Sequence, residues 1–441
     1  MCNYDVVIFG GGTAGCACAW NCGKLGLKTL LIEKESYLGG SITGSLVIPV
    51  MISGDNQINT DFYNELVKQM NKAGGQITYQ GNSGWFNPFV MKSVLADMLS
   101  SVGVEVAYNL PLSRISNIRI AHAEIQSSPS RDEDKLLLSV CSDKVYTDNT
   151  HILGIDILSE YIEAKYFVDA TGDLNICEQI GCEFLSGPKE PQPMSLRFIM
   201  DNIDLKTFGD WLLQTDNNRE VTTVEHIDGQ THLSTAYTWD SDKHWALAPY
   251  FDKAVEEGVL KDIDRNYFQV FTVAGLEGGL AFNCPRIIST NDREKAYKLG
   301  TEAIYRIADF CIKYFPGFKN AKILKIADII GVRASRQIRG KYIYTIEDLR
   351  SGKKFEHPAV ISNYPVDVHS KNKDASTLEI TGEYQLPIES LMSADYDNLF
   401  VIGRGLSADT LAQGALRVQA SCFSMGEAVA KYIIQHPLSH L

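Results

Sequence analysis

Residues 5–33 carry the most restrictive pattern in the chain: a strand, a glycine loop, a helix, a second strand and an acid, in that order. Val6–Phe9 is a short apolar run of the kind that forms a buried parallel strand. Gly10, Gly12 and Gly15 follow at the G-x-G-x-x-G spacing. In such a loop the first glycine permits the tight turn, the second lets a pyrophosphate approach the backbone, and the third lets the helix lie close to the strand. The helix is expected to run to about Leu25, with Gly26 as its stop. A second strand, Lys28–Ile32, then delivers Glu33. A carboxylate at that point accepts both hydroxyls of an adenosine ribose. An adenine dinucleotide is the expected ligand, and the loop alone does not choose between NAD and FAD.

The rest of the composition narrows the setting. With 441 residues and 45% hydrophobic content the chain can bury more than one core, and two domains are expected. A net charge of −13 weighs against nucleic acid or anionic lipid as a partner. No run of about eighteen apolar residues suggests a membrane span, and the N-terminus lacks a signal-peptide pattern, so a cytoplasmic location is expected. The ten cysteines show no C-x-x-C pair or nearby histidine cluster. Cys18 with Cys22, and Cys177 with Cys182, read as small packing residues, and no metal site is expected.

Strand and helix alternate at both ends of the chain. Amphipathic helices are predicted at Phe62–Gly74 and Phe89–Val102, followed by a strand at Val104–Tyr108. Strand-like segments at Ser113–Ala121, Lys135–Cys141 and His151–Leu158 suggest an antiparallel meander over 112–166. Phe167–Asp173 is a second buried strand ending in a glycine turn, with a helix after it at Leu174–Ile180. A long helix is expected at Asp292–Tyr314. A last strand is predicted at Asp397–Gly403, with a helix from Gly414 to about Ile434. Residues 190–325 are irregular, and their aromatic stretch (Tyr237, Trp239, His244, Trp245, Tyr250) reads either as pocket lining or as core.

Three glycine-bearing strand ends call for one explanation: Gly10–Gly15, Thr171–Gly172–Asp173 and Gly403–Arg404–Gly405. Ligands of open parallel sheets lie beyond the carboxyl ends of the strands, and an extended flavin dinucleotide needs several such contacts. The combination resembles the FAD-dependent oxidoreductases of the glutathione-reductase-like fold, and more narrowly the bacterial family that carries that generic name. The resemblance runs through Asp5–Gly15, Glu33–Gly40, Val168–Asp173, Pro316–Ala321, Gly331–Tyr342, Pro365–His369, Asn398–Ser407 and Arg417–Val418.

It implies an α/β fold: a Rossmann-like FAD-binding domain of glutathione-reductase type with an inserted α+β substrate or cap domain. The FAD domain would comprise 1–190, 321–345 and 395–441, and the cap 191–320 and 346–394. FAD is the implied cofactor. Gly10, Gly12, Thr13, Ala14, Gly15, Glu33 and Lys34 would hold its ADP half. Gly39, Gly40 and Ser41 would approach the pyrophosphate and the flavin edge, and Ala170, Thr171 and Gly172 would flank the adenine and pyrophosphate. Gly403 and Arg404 would meet the pyrophosphate and ribityl region, and Gln413, Gly414 and Ala415 the pyrimidine end of the ring. A helix starting near Gly414 would then offer free N–H groups and roughly +0.5 of dipole charge to a reduced flavin.

The resemblance also sets Arg333, Arg336 and Arg339 against the cofactor, where a guanidinium forks to phosphate or to a substrate carboxylate. Relatives commonly carry an acid or another polar residue where this chain has Ala334. Asp367 and His369 alternate along an extended segment and match an Asp-x-His of the family; with Arg336 they are the candidate catalytic residues. The implied reaction is hydride transfer between a small organic substrate and flavin N5, with an unidentified electron acceptor. No second G-x-G-x-x-G unit or redox cysteine pair is found, which weighs against disulfide-reductase chemistry. The alternatives are an RNA-modifying flavoenzyme, a thiazole-synthase-like protein and a non-catalytic relative.

Overall fold

The structure is a computed structural model. It describes residues 2–51, 58–110, 121–122, 145–147, 151–157, 160–187, 192–238, 245–287, 290–369, 375–378, 380 and 382–438.

Its spine is a run of parallel strands in the order Glu105–Ala107, Thr29–Ile32, Cys2–Phe9, Glu160–Asp169 and Leu399–Val401. Alternate side chains of Cys2–Phe9 enter different cores. Val6 and Ile8 join the side that holds helix Thr13–Lys24, while Val7 and Phe9 pack with Ile176, Cys177 and Ile180 of the opposite side. A parallel strand covered on both faces has to be apolar throughout, which is why the Val6–Phe9 run is readable.

The strand Glu160–Asp169 is longer than the predicted start at Phe167, and it divides its edge. Its first half pairs with Ile152–Ile157 in an antiparallel hairpin, and its second half pairs in parallel with Leu399–Val401. Val145–Thr147 and then Ala121–His122 extend the hairpin side, the latter in parallel. Lys135–Cys141 and nearly all of Ser113–Ala121 lie outside the described residues.

A second, six-stranded antiparallel sheet accounts for much of the stretch that reads as irregular. Its order is Thr222–Ile227, Gln230–Thr238, Tyr267–Thr272, Leu280–Phe282, Phe198–Asp201 and Lys322–Ile326. One face packs aromatic side chains against helices Leu205–Thr215, Ala248–Glu256 and Arg293–Tyr314, with Phe251 4.4 Å from Phe310 and 5.2 Å from Phe268 between ring centroids. Trp245 belongs to this core, 5.2 Å from Phe251, and Tyr250 packs 5.3 Å from Trp211. Trp239, His244 and the side chain of Tyr237 lie outside the described residues.

Lys322–Ile326 is an edge strand of this second sheet, so the expected return to the first sheet at residue 321 comes only after Ile326. The pairs Pro358–Ser362 with Tyr384–Pro387 and Val366–His369 with Ala375–Leu378 lie against helices Gln419–Gln435 and Thr410–Leu416, on the side of the first sheet. Among the described residues no helix is long and apolar enough to cross a membrane.

Candidate active site

The predicted glycines meet at one place. Gly10 turns with φ +96°, and a Cβ there would stand 2.7 Å from the Ala170 carbonyl oxygen. A Cβ on Gly15 would stand 1.9 Å from the Gly10 carbonyl oxygen, so the helix can lie against the strand only with glycine at that position. A Cβ on Gly40 would stand 2.9 Å from the Gly12 Cα, and Gly39 N donates to Gly11 O at 2.8 Å. A Cβ on Gly403 would stand 3.7 Å from the Ala14 Cβ. The ends of three neighbouring strands and the 39–40 turn thus converge on Gly10–Gly15.

Gly12 differs from its neighbours, because a Cβ there would meet nothing within 4 Å. It is the N-cap of helix Thr13–Lys24 and offers no side chain to the first turn, which holds no acid. This open, positively polarised end is a cradle for a pyrophosphate. Glu33 is buried beside it, accepting from Gly11 N at 2.6 Å and Glu35 N at 2.9 Å. Burial raises its pKa, and the two backbone donors oppose that shift. Thr13 is half-buried in the first turn, whereas Ser41 is exposed and Lys34 reaches outward to Glu35 at 3.7 Å. The residues present fit the ADP half of a flavin dinucleotide.

Around the second glycine turn, the fully buried Asp169 accepts from Thr171 N at 3.0 Å, Thr171 Oγ1 at 2.7 Å, and Ile176 N and Cys177 N at 3.1 Å. It ties the end of its strand to the helix that follows. Arg404 is less free than the sequence suggests: Nε donates to Gly172 O at 2.8 Å, Nη1 to Val332 O at 2.9 Å, and Nη2 to Asp173 at 2.8 Å. Its guanidinium holds three chain segments together, a position facing protein acceptors rather than a ligand phosphate.

Arg336 takes a similar structural position. It pairs with Glu178 at 2.5 Å, donates to Asp173 O at 3.2 Å, and lies 5.7 Å from the Phe184 ring centroid. The structure therefore does not bring it to Asp367. Arg339 pairs with Glu183 at 2.8 Å on the surface.

The C-terminal helix departs from expectation. It begins at Thr410, where Asp409 caps Leu411 N at 3.0 Å and Ala412 N at 2.8 Å, and it is interrupted before a new helix, Gln419–Gln435. Gly414 is therefore inside a helix, and its N–H is not an open donor. Its glycine has another cause: a Cβ would meet Val368 Cγ2 at 2.7 Å and Asp367 O at 3.2 Å, so the 366–369 strand can lie directly on this helix. Ala415 is buried in the same helix.

The open helix end belongs to Gln419–Gln435, whose N-cap Val418 supplies no side-chain cap. Gln419 is held there by Val47 O at 2.7 Å, and Gln413 Nε2 donates to Arg404 O at 3.1 Å; both retain a buried side-chain oxygen with no partner. Arg417 donates to Asp367 O at 2.7 Å, with the Asp367 carboxylate at 3.5 Å. Arg333 donates to Pro193 O at 2.6 Å. His369 ends the strand that carries Asp367, and its side chain lies outside the described residues.

Comparison with known proteins agrees with this geometry, matching residues 5–435 to the FAD dependent oxidoreductase family. The chain belongs to that family. FAD is its cofactor, and it is an oxidoreductase with a Rossmann-like α/β fold.

Nicotine dehydrogenase of Pseudomonas putida is 55% identical over 38 residues, which are 9% of this chain and 8% of that relative's length. Among solved structures, a geranylgeranyl bacteriochlorophyll reductase-like protein of Thermoplasma acidophilum is 14% identical, with 99% of this chain and 79% of that one covered at a TM-score of 0.45. L-proline dehydrogenase of P. horikoshii is 11% identical, with 98% and 94% covered at a TM-score of 0.44.

Proposed function

We propose that this family member oxidises a small organic substrate at the junction of its two sheets, passing hydride to FAD. The reading is carried by one observation: Arg417 fixes the Asp367 strand beside the open end of helix Gln419–Gln435, and Gln419 at that end donates to Val47 O, whose own N–H donates to Ser41 O at 3.0 Å next to the 39–40 turn. When bound, FAD supplies the two-electron acceptor that takes hydride from the substrate carbon.

The protein's own tasks are then placement and proton transfer. The glycine loop and the helix end at Thr13 would hold the pyrophosphate, and Glu33 would accept from the ribose. Helix Gln419–Gln435, whose N-cap Val418 supplies no side chain, would offer its free N–H groups to negative charge on a bound flavin. Asp367, held by Arg417, orients the substrate. His369 removes the hydroxyl or amine proton as the C–H bond gives up its hydride, leaving a carbonyl or imine product. An external electron acceptor would take up the two electrons.

The test begins with the visible spectrum of the purified protein after addition of FAD. A bound-flavin spectrum is expected. Its absence after reconstitution would remove this reading in favour of a non-catalytic relative.

A further inference from the structure

Three arginines come from segments that touch where the second sheet meets the first: Arg197 and Arg333 each lie two residues beyond the Ser195–Gly331 bridge, and Gln413, in the helix just before Arg417, donates through Nε2 to Arg333 O at 3.4 Å. Arg286 flanks them with its guanidinium carbon 3.8 Å from the Tyr267 ring centroid. Each keeps some accessible surface although it lies deep in the protein, as side chains on the wall of an internal recess do.

Burial lowers the pKa of Arg197 to about 9, and of Arg286 and Arg417 to about 10. The neighbouring charge of Arg333 adds to all three shifts, so these guanidiniums lie within electrostatic reach of one another.

Their hydrogen bonds go mainly to neutral oxygens. Arg197 donates to the Asn283 side-chain oxygen, Arg333 to the Pro193 carbonyl at 2.6 Å, and Arg417 to the Asp367 carbonyl at 2.7 Å. The Asp367 carboxylate is 3.5 Å from Arg417, and Arg417 Nε is buried with no hydrogen-bond partner.

Structural arginines elsewhere in this chain look different. Arg306 grips the buried Asp264 through two bonds of 2.8 and 2.9 Å, and Arg404 meets the Asp173 carboxylate at 2.8 Å. One carboxylate, Asp367, opposes the shifts of Arg286, Arg333 and Arg417, which leaves several buried guanidiniums to a single negative charge; that excess is costly, and an anion that takes both forks of a guanidinium reduces it.

We propose that Arg197, Arg333 and Arg417 form a carboxylate-binding subsite, so that the substrate is a small organic acid held beside Asp367. The inference rests on the flavin reading above and names the class of molecule that site takes. Tyr267 supports the same wall in another way: its ring centroid lies 3.8 Å from the Arg286 guanidinium carbon, and its hydroxyl donates to Gln269 at 2.9 Å. Guanidinium suits this duty better than ammonium, because its planar fork matches a carboxylate.

The experiment titrates the FAD-loaded enzyme with succinate, acetate, inorganic phosphate and the neutral diamide of succinate. Perturbation of the flavin spectrum and the melting temperature are read together. Succinate is expected to perturb the spectrum and raise the melting temperature, the diamide to do neither, and phosphate to bind more weakly than succinate. Arg197→Gln and Arg333→Gln are expected to weaken succinate at least tenfold while flavin content stays at the parent level. Arg197→Lys and Arg333→Lys keep the charge, and provide the same reading with a smaller loss if the glutamine variants do not fold.

Equal binding of the diamide, or tighter binding of phosphate, would overturn the proposal. So would variants that lose flavin yet keep their succinate affinity, since the arginines would then serve the cofactor. Flavin content is measured in the same samples, so failure of the cofactor reading is seen separately.

Discussion

At the residue scale, the acids that matter are those whose partners only the fold reveals. Burial alone would raise the Asp173 carboxyl, but Arg404 and Arg293, each at 2.8 Å, hold it well below the usual carboxylate range. Its folded value is thus below its unfolded one, so this stabilisation is complete at neutral pH and is lost as the pH falls below about 4. Asp173→Asn is expected to cost roughly 2 kcal/mol at pH 7, and to flatten the fall in melting temperature on acidification. Burial moves Asp169 and Glu33 the other way, so the comparison must be between variant and parent at each pH. Glu33→Gln is expected to weaken FAD about tenfold with little loss of stability, as one charge-assisted hydrogen bond would; flavin fluorescence on dilution measures it. Glu33 was legible because it ends the strand that follows the glycine-loop helix, within the same local unit as its donor Gly11. The engagement of Arg404 and Arg336 was not, because their acceptors come from segments up to 232 residues away.

At the scale of elements, glycine again marks close approach, now between helices. A Cβ on Gly426 would stand 2.4 Å from Ala14 O and 2.7 Å from Cys18 N, so helix Gln419–Gln435 lies directly on helix Thr13–Lys24. Gly426→Val would push the helices apart, at a cost of roughly 2–3 kcal/mol by overpacking. Because Thr13–Lys24 starts at the glycine loop, FAD affinity should fall along with the melting temperature. A melting curve and a flavin titration on the same preparation check both.

The sequence supports one long C-terminal helix because Gly414, Arg417 and Val418 leave the apolar pattern continuous. The break is instead set by Asp409 capping the first piece and by strand Val366–His369 pressing on Gly414. Helix Arg293–Tyr314 was read to within a residue because Asp292 is a local cap, accepting from Glu294 N at 3.0 Å and Lys295 N at 3.1 Å.

At the scale of the whole molecule, the proposal divides the work between the two sheets: the first would hold the dinucleotide, and the second would bring Arg197 and Tyr267 to the substrate side. The parallel sheet was legible because its strands are short, apolar and followed by glycine turns. The antiparallel sheet was not, since its order depends on pairings such as Phe198–Asp201 with Lys322–Ile326, which no local pattern encodes. Its placement is what makes the catalytic proposal testable.

The most direct measurement is anaerobic bleaching of the bound flavin by small hydroxy and amino acids. The account predicts bleaching by at least one such acid, no bleaching by its amide, and a rate at least a hundredfold lower in His369→Gln with flavin content unchanged, in keeping with loss of a general base. A flavin-loaded protein that no acid bleaches, or a His369→Gln variant that bleaches at the parent rate, would contradict it.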